Sequence, residues 1–349
     1  MTLYSHMVVN GPLWSADVGQ AHWIAGRLTP WNEHTVTMVV PDGFEAYARV
    51  LHPVEAPDSG DRPVRWAEVA AWSGLPLRSD AQFHSVALPP TAPGEPPPFG
   101  GGPREGSLYL PDAEVLAAIA RDWTATPEEC WFCVWDGFGW DTVSKSARMP
   151  AGEPPAIVPT PSPDPVPPAV RDGPRVRQPN RNYLLYCGPA EAVIAPANLA
   201  GTGGQCANLW WPADHAWCVA SEIDLPWSYI GGPRGLIDSV LADKRVEALA
   251  AAPDDPVSRV EDWVASWAAE LTDGLLARGE AALSTPGGSI EAWLRRPSRL
   301  DDGELRIRAT GSSGGYSSSR SRLGLRGDQQ LRAELTHYLS YAVLGLAVM

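Results

Sequence analysis

The pattern of hydrophobic and polar positions along the chain has the period of helices in some segments and of strands in others. Apolar residues recur at helical spacing in three long segments, at positions 15–28, 111–123 and 255–283. Alternating or β-branched residues predict strands at positions 34–40, 44–53, 130–135 and 217–225. Because helices and strands follow one another irregularly, the pattern favours an α+β fold of mainly antiparallel sheets with flanking helices.

Two segments rich in proline and glycine interrupt this pattern, at residues 88–106 and 150–179. The second holds eleven prolines in thirty residues, which is typical of an extended linker because proline lacks the backbone donor. The sequence therefore predicts an N-terminal domain at 1–148, a proline-rich linker at 149–179 and a C-terminal domain at 180–349.

The two predicted domains share a faint internal similarity. On each side of the linker, a strand is followed by proline, Ala-Glu and an apolar segment, and later by a strand that contains Trp-Cys. Few positions match, so a relation by duplication and a coincidence both stay open.

Composition narrows the class of protein. The net charge of −14 over 349 residues repels phosphate backbones, so we expect no nucleic-acid partner. The part after Ser289 differs, with nine arginines against six acids, and its segment 308–327 is predicted to be a solvated loop. No basic leader with an apolar run opens the chain, and no stretch is long enough to span a bilayer. Together with only five cysteines, this predicts a cytoplasmic protein without a membrane partner.

Tryptophan is the most unusual feature of the composition, with 16 residues against five phenylalanines. All but two of the 27 basic residues are arginine, which is typical of a GC-rich genome and explains part of the tryptophan excess. Clustered tryptophans are also typical anchors of binding surfaces.

The segment 130–140, CWFCVWDGFGW, raises the question of metal or redox chemistry. A structural zinc site needs four ligands, and no second C-x-x-C pair follows. In a strand, residues three apart point to opposite faces, which separates Cys130 from Cys133. We therefore interpret the two cysteines as core residues, with zinc binding and redox chemistry as lesser alternatives.

Two acids in the segment SEIDLPW are the best candidates for chemistry. If residues 217–225 form one strand, Glu222 and Asp224 share a face with Cys218 and Ala220, about 7 Å apart. Such a pair suits a divalent metal or general acid–base work, and equally the solvated face of an edge strand. Of the seven histidines, only His215 lies near these acids in the sequence.

The segments PEECWFCVWDGFGW, WPADHAWCVASEIDLPWSYIGG and LIDSVLADKRVEAL resemble a family of uncharacterised proteins of high-GC bacteria. The resemblance implies no activity, cofactor or catalytic residue. In composition and layout the chain is also similar to small immunity-type proteins of bacterial conflict systems.

We therefore expect a non-enzymatic protein, with no cofactor and no metal, that binds a protein partner or a small ligand through a tryptophan-rich surface. The candidate binding residues are Trp140, Trp211, Trp227, Tyr229, Glu222 and Asp224. One alternative is a metal-dependent hydrolase whose catalytic residues are Glu222, Asp224 and His215. Another is a purely structural protein built from two duplicated domains.

Overall fold

The fold is described from a computed structural model. The structure describes residues 3–4, 12–30, 35–56, 62–87, 96–138, 142–146, 157–161, 167–179, 181–198, 205–257, 262–285, 288–296, 303–311, 316–323, 331–332, 335–336 and 338–339.

Eighteen strands are assigned in this part of the chain. They are β1 Leu3–Tyr4, β2 Leu13–Ser15, β3 Ala46–Leu51, β4 Val54–Glu55, β5 Pro63–Val64, β6 Cys130–Trp135, β7 Thr142–Ser146, β8 Ile157–Pro161, β9 Val176–Arg177, β10 Asn182–Gly188, β11 Leu209–Pro212, β12 Cys218–Ser221, β13 Trp227–Gly232, β14 Ala248–Ala251, β15 Glu280–Thr285, β16 Gly288–Arg295, β17 Gly303–Gly311 and β18 Tyr316–Leu323.

Seven α-helices have defined bounds, and residues 331–332, 335–336 and 338–339 are also helical. The seven helices are α1 His22–Ala25, α2 Trp66–Ser73, α3 Phe83–Val86, α4 Leu110–Arg121, α5 Pro168–Arg171, α6 Arg234–Ala242 and α7 Asp262–Arg278. Short 3-10 helices span Val18–Ala21, Val36–Met38, Asp136–Phe138 and Ala190–Asn198. None of these described helices is both long and apolar enough to cross a membrane.

The contacts divide the chain into two compact units. The large unit combines Met1–Trp66 with Phe99–Val257, and the small unit combines Ala67–Pro98 with Ser258–Met349. The large unit contains a ten-stranded sheet in the order β1-β2-β10-β6-β11-β12-β13-β3-β14, with β9 paired to β10. Two separate two-stranded ladders, β4 with β5 and β7 with β8, also belong to it.

Strand pairing throughout these sheets is antiparallel, so the predicted α+β class is confirmed. Helices α4 and α6 pack over one face of the ten-stranded sheet, where alternate residues such as Phe132, Trp210 and Ile230 form the main core. Helix α4 forms where Pro111 occupies the first turn, and it buries Leu116 and Ala117 against that face.

The opposite face of this sheet is packed by residues 18–30 and 35–40. Trp211 projects from this sheet face and packs edge to face on Trp23, with ring centroids 6.1 Å apart. Alternation within β10, β11 and β12 places Tyr183, Leu209 and Ala220 on this same face, beside the residues that line a pocket.

The small unit has its own core. The four strands β15 to β18 pair in sequence order, and α7 packs on one face of their sheet. Leu271 and Leu275 from α7 meet Ile290, Leu305 and Ile307 there. The predicted amphipathic helix is thus found at Asp262–Arg278.

The predicted domain boundary at 149–179 is wrong. Strand β10, which follows that segment, pairs with β2 and β6, which precede it, so one sheet takes strands from both sides. Strands β8 and β9 and helix α5 lie within the predicted linker. The prolines are tolerated there because, among the described residues, β8 pairs only with β7, and because Pro168 begins a helix.

The predicted duplication is not confirmed. The two Trp-Cys strands, β6 and β12, lie in the same sheet on either side of β11. They therefore do not belong to two separate sheets, one in each predicted domain.

Three local predictions have different outcomes. The segment 34–40 was expected to be a strand but forms the 3-10 helix Val36–Met38, because Val36 and Thr37 donate backbone hydrogen bonds to residues 253–255 rather than to a neighbouring strand. The predicted loop at 308–327 contributes residues to the paired strands β17 and β18. Cys130 and Cys133 are both buried, free and three apart in β6, which confirms the core interpretation.

Candidate functional site

A pocket lies where β10, β11 and β12 meet, on the sheet face that residues 18–30 and 35–40 cover. Its volume is about 40 Å³, which is room for roughly three water molecules. Aliphatic side chains from both layers form its walls, among them Leu28, Met38, Val39 and Leu209. Its polar side is formed by Gln178, Arg181, Tyr183 and Glu222.

Arg181 and two acids form the charged part of this site. Arg181 Nη2 donates to Glu222 Oε1 at 2.7 Å and to Asp224 Oδ2 at 2.8 Å, and its Nε donates to Glu222 Oε1 at 3.1 Å. Glu222 is buried, whereas 72% of the Asp224 side chain is exposed. One guanidinium therefore holds the two carboxylates together at the edge of the pocket.

Burial dominates the electrostatics of the buried acid. It raises the pKa of Glu222 above its ordinary value, Arg181 opposes this rise, and the nearby charge of Asp224 adds to it. The pKa of Glu105 is also raised, first by burial and then by Asp224. The charge of Asp224 thus acts on both of these carboxyl groups, and Arg181 binds Glu222 and Asp224.

Gln178 supplies the most unusual polar group of the pocket. Its Nε2 and Oε1 are both buried, and neither has a hydrogen-bond partner in the described part of the protein. Its backbone N–H donates to the carbonyl of Arg181 at 2.9 Å, which closes a tight turn before β10. Because buried polar groups are normally hydrogen-bonded, this amide is a candidate contact for a ligand.

Asn208, in the wall of the pocket, has hydrogen bonds to both polar atoms of its side-chain amide. Its Oδ1 accepts from the backbone N–H of Trp135 at 2.9 Å, and its Nδ2 donates to the carbonyl of Gly106 at 2.9 Å. Its own carbonyl accepts from the backbone N–H of Ser221 at 2.6 Å. Asn208 thus fixes the ends of three segments around the pocket.

A buried hydrogen-bond chain supports the turn that carries the acids. His52 Nδ1 donates to the carbonyl of Arg104 at 2.8 Å, because that oxygen only accepts, and Nε2 then accepts from Ser228 Oγ at 2.8 Å. Ser228 in turn is 2.5 Å from Ser221 Oγ. Burial lowers the pKa of His52 to about 4, so the imidazole is neutral at pH 7. All three side chains are buried, so this chain positions the β12–β13 turn (residues 222–226).

The predicted hydrolase residues do not form one site. Strand β12 ends at Ser221, so Glu222 and Asp224 lie in the β12–β13 turn and not on a strand face. The chain reverses there because the Leu225 N–H donates to the Glu222 carbonyl. His215 precedes β12, and the four residues of that strand, about 13 Å long, separate it from the acids.

His215 belongs to a different cluster. Its φ of 56° is in the left-handed region, and its ring stacks on Trp23 with centroids 4.4 Å apart. Burial and then the charge of Arg27 lower its pKa. Within the described residues, no three His, Cys, Asp or Glu side chains are grouped to hold a metal ion.

The predicted aromatic binding surface is wrong for every residue of it that the structure describes. Trp211, Trp227 and Tyr229 are all at most 2% exposed. Trp227 packs edge to face on Trp66, and its indole N–H donates to Tyr229 Oη at 3.1 Å. These side chains are buried because both faces of the ten-stranded sheet are covered. Trp140 lies outside the described residues.

Three of the four residues that form the polar side of the pocket were missed by reasoning from the sequence. Gln178, Arg181 and Tyr183 lie at the end of the proline-rich segment and the start of β10, about forty residues before the acids. The signal in the sequence is QPNRN at 178–182, a polar cluster that leads into a buried strand and contains two of these residues; such loop positions are a common place for side chains that face a ligand.

No known protein family, curated protein or solved structure matches this chain. The proposals below therefore rest on the geometry of the site.

Proposed function

We propose that the protein is a non-enzymatic binding protein that holds a small polar group in the pocket between β10, β11 and β12. The observation that carries this proposal is the amide of Gln178, buried and without a partner in the described part, in the wall of a pocket. A ligand that both donates and accepts would complete the hydrogen bonds of this amide, and the aliphatic walls would contact its apolar part.

The geometry supports binding better than hydrolysis. Glu222 and Asp224 both accept hydrogen bonds from Arg181, and His215 lies at the other end of β12. These three residues therefore do not face one another across the pocket as general base and acid. The alternative of a hydrolase with these three residues thus loses its geometric support.

The partner in this proposal is a free small molecule or a side chain that another protein presents, as an immunity-like role requires. The proposed compartment is the cytoplasm. All five cysteines are free, which supports a reducing environment.

Gln178→Met tests the proposal because it keeps the length of the side chain and removes the amide. Leaving a buried amide unpaired costs about 1–3 kcal/mol, so we expect the free energy of unfolding to stay unchanged or to rise. In a screen of small amides, amines and guanidines by ligand-observed NMR, the wild type is expected to bind at least one probe. The variant is expected to bind that probe at least tenfold more weakly.

Gln205→Met is the matched control. Oε1 of Gln205 is also buried without a partner in the described part, but Gln205 does not line the pocket. We expect this variant to bind the probe as the wild type does. Equal binding by wild type and Gln178→Met, or a loss of stability in Gln178→Met as large as that of a broken hydrogen bond, would contradict the proposal.

A further inference from the structure

We infer that the group held in this pocket is a small cation that donates N–H hydrogen bonds, a primary ammonium or a guanidinium. This inference rests on the proposed binding function of the pocket and names the chemistry of its ligand.

The charges around the pocket carry the inference. The charged groups that act on Glu222 are Arg181 and Asp224, so this trio has a net charge of one negative unit when its acids are ionised. Glu105, which interacts with Asp224, adds a further acid. A bound monocation would neutralise the excess charge of the trio, whereas an anion would increase it.

The orientation of Arg181 also disfavours an anionic ligand. Its Nε and Nη2 both donate to Glu222, and Nη2 is shared with Asp224. An anion would have to compete with two carboxylates that already accept from this guanidinium. A cation instead adds a second positive group beside Glu222, whose carboxylate is buried and therefore only weakly solvated.

The neutral polar groups of the pocket fit the same class of ligand. Gln178, whose Oε1 is a buried acceptor without a partner in the described part, lines the pocket together with Glu222. An ammonium or guanidinium offers several N–H donors, so it can reach both acceptors at once. The aliphatic walls formed by Leu28, Met38 and Leu209 suit the carbon chain attached to such a head group.

The size of the pocket restricts the ligand to a head group. A volume of about 40 Å³ accommodates only a few heavy atoms. The cation is therefore a small free amine or guanidine, or the end of a lysine or arginine side chain of a partner. Both sources present the same chemistry to Glu222 and Gln178.

Pairs of probes that have nearly the same shape and different charge test the inference. Methylguanidinium and methylurea, and ethylammonium and ethanol, are titrated into the ¹⁵N-labelled full chain, and the backbone amide shifts of residues 178, 180–183 and 220–222 are followed. We expect at least one cation to bind tenfold or more tightly than its neutral counterpart. Blocked lysine and arginine, as the N-acetyl methylamides, form a second arm that distinguishes a side chain from a free small molecule.

Two variants show whether the acids are responsible. We expect Glu222→Gln to weaken cation binding at least tenfold and Asp224→Asn, at a largely exposed position, to weaken it about threefold. Glu128→Gln removes an exposed carboxylate elsewhere in the large unit and serves as the control for net charge, with no expected change. Since Asp224 is at the surface, its variant is expected to fold even if the loss of Glu222 destabilises the protein.

The outcomes separate this inference from the proposed function. If neutral probes bind as tightly as the cations, or bind alone, the inference is overturned while the pocket remains a binding site. If Glu222→Gln and Asp224→Asn both bind cations as the wild type does, the inference is also overturned. If no probe of either charge perturbs the pocket, both the inference and the proposed function fail.

Discussion

Trp227→Ala is expected to lower the free energy of unfolding by about 3–5 kcal/mol, the usual cost of removing a large buried aromatic side chain. Trp227 is 2% exposed, and its ring lies 3.7 Å from the guanidinium carbon of Arg49, which is itself buried. Its loss would remove this close cation–π contact, whereas the Trp66 ring centroid lies farther from the same guanidinium carbon, at 5.9 Å. It would also remove the N–H that Tyr229 Oη accepts.

Urea unfolding of the wild type, Trp227→Ala and Trp123→Ala measures this effect. Trp123 is 36% exposed, so its replacement is expected to cost about 1 kcal/mol, below the buried-aromatic range. If Trp227→Ala does not fold, Trp227→Phe, which keeps a ring over Arg49, is expected to fold with a smaller loss. A Trp227→Ala protein as stable as the Trp123→Ala protein would mean that Trp227 is not a core residue.

Stability is expected to fall as the pH is lowered from about 6.5 towards 4, because His52 is buried in its neutral form. Its pKa is lowered from 6.5 to about 4 in the folded protein, so between these values the unfolded chain binds the proton and the folded chain does not. The contribution of His52 to the free energy of unfolding is fully present above pH 6.5. About 3 kcal/mol of it is lost by pH 4, at 1.36 kcal/mol for each unit of pKa.

His52→Gln isolates this contribution. The variant is expected to be less stable at pH 7.5, because glutamine does not keep both hydrogen bonds, and to lose less stability than the wild type between pH 6.5 and 4. Acids whose pKa is raised in the folded protein, such as Glu222 and Asp112, make the protein more stable as the pH falls. This contribution is the same in both proteins, so it cancels when their pH dependences are compared. His22→Gln, at an exposed position, is expected to keep the dependence of the wild type. If the stability of the wild type and of His52→Gln depended on pH in the same way, a group other than His52 would be responsible for the proton uptake.

Features that depend on local periodicity were predictable from the sequence. The spacing of Cys130 and Cys133 in β6 separates the two thiols, and the pattern around Leu271 and Leu275 predicts α7. The sequence 44–53 predicts a strand that ends near His52, and His52 follows Ala48 and Val50 at alternate positions. Because alternate residues share a face, this pattern already indicates a buried histidine.

Features that depend on distant parts of the chain were not predictable. The burial of Trp211 and Trp227 requires that both sheet faces be covered, and alternation within one strand does not reveal what packs on it. The end of β12 at Ser221 depends on its register with Ser228 in β13. Arg181 meets Glu222 because β10 lies beside β6 and β6 beside β11, an order that a proline-rich segment between the strands conceals.

The side-chain amide of Gln178 gives the most direct test of the claim that this pocket binds a ligand. Its ¹H–¹⁵N signals can be assigned from their loss in Gln178→Met and followed while a probe found in the screen is added. If the amide binds the ligand, both of its proton signals shift and saturate at the same probe concentration as the ligand-observed binding. A probe that binds tightly while the Gln178 signals stay unchanged would contradict the claim.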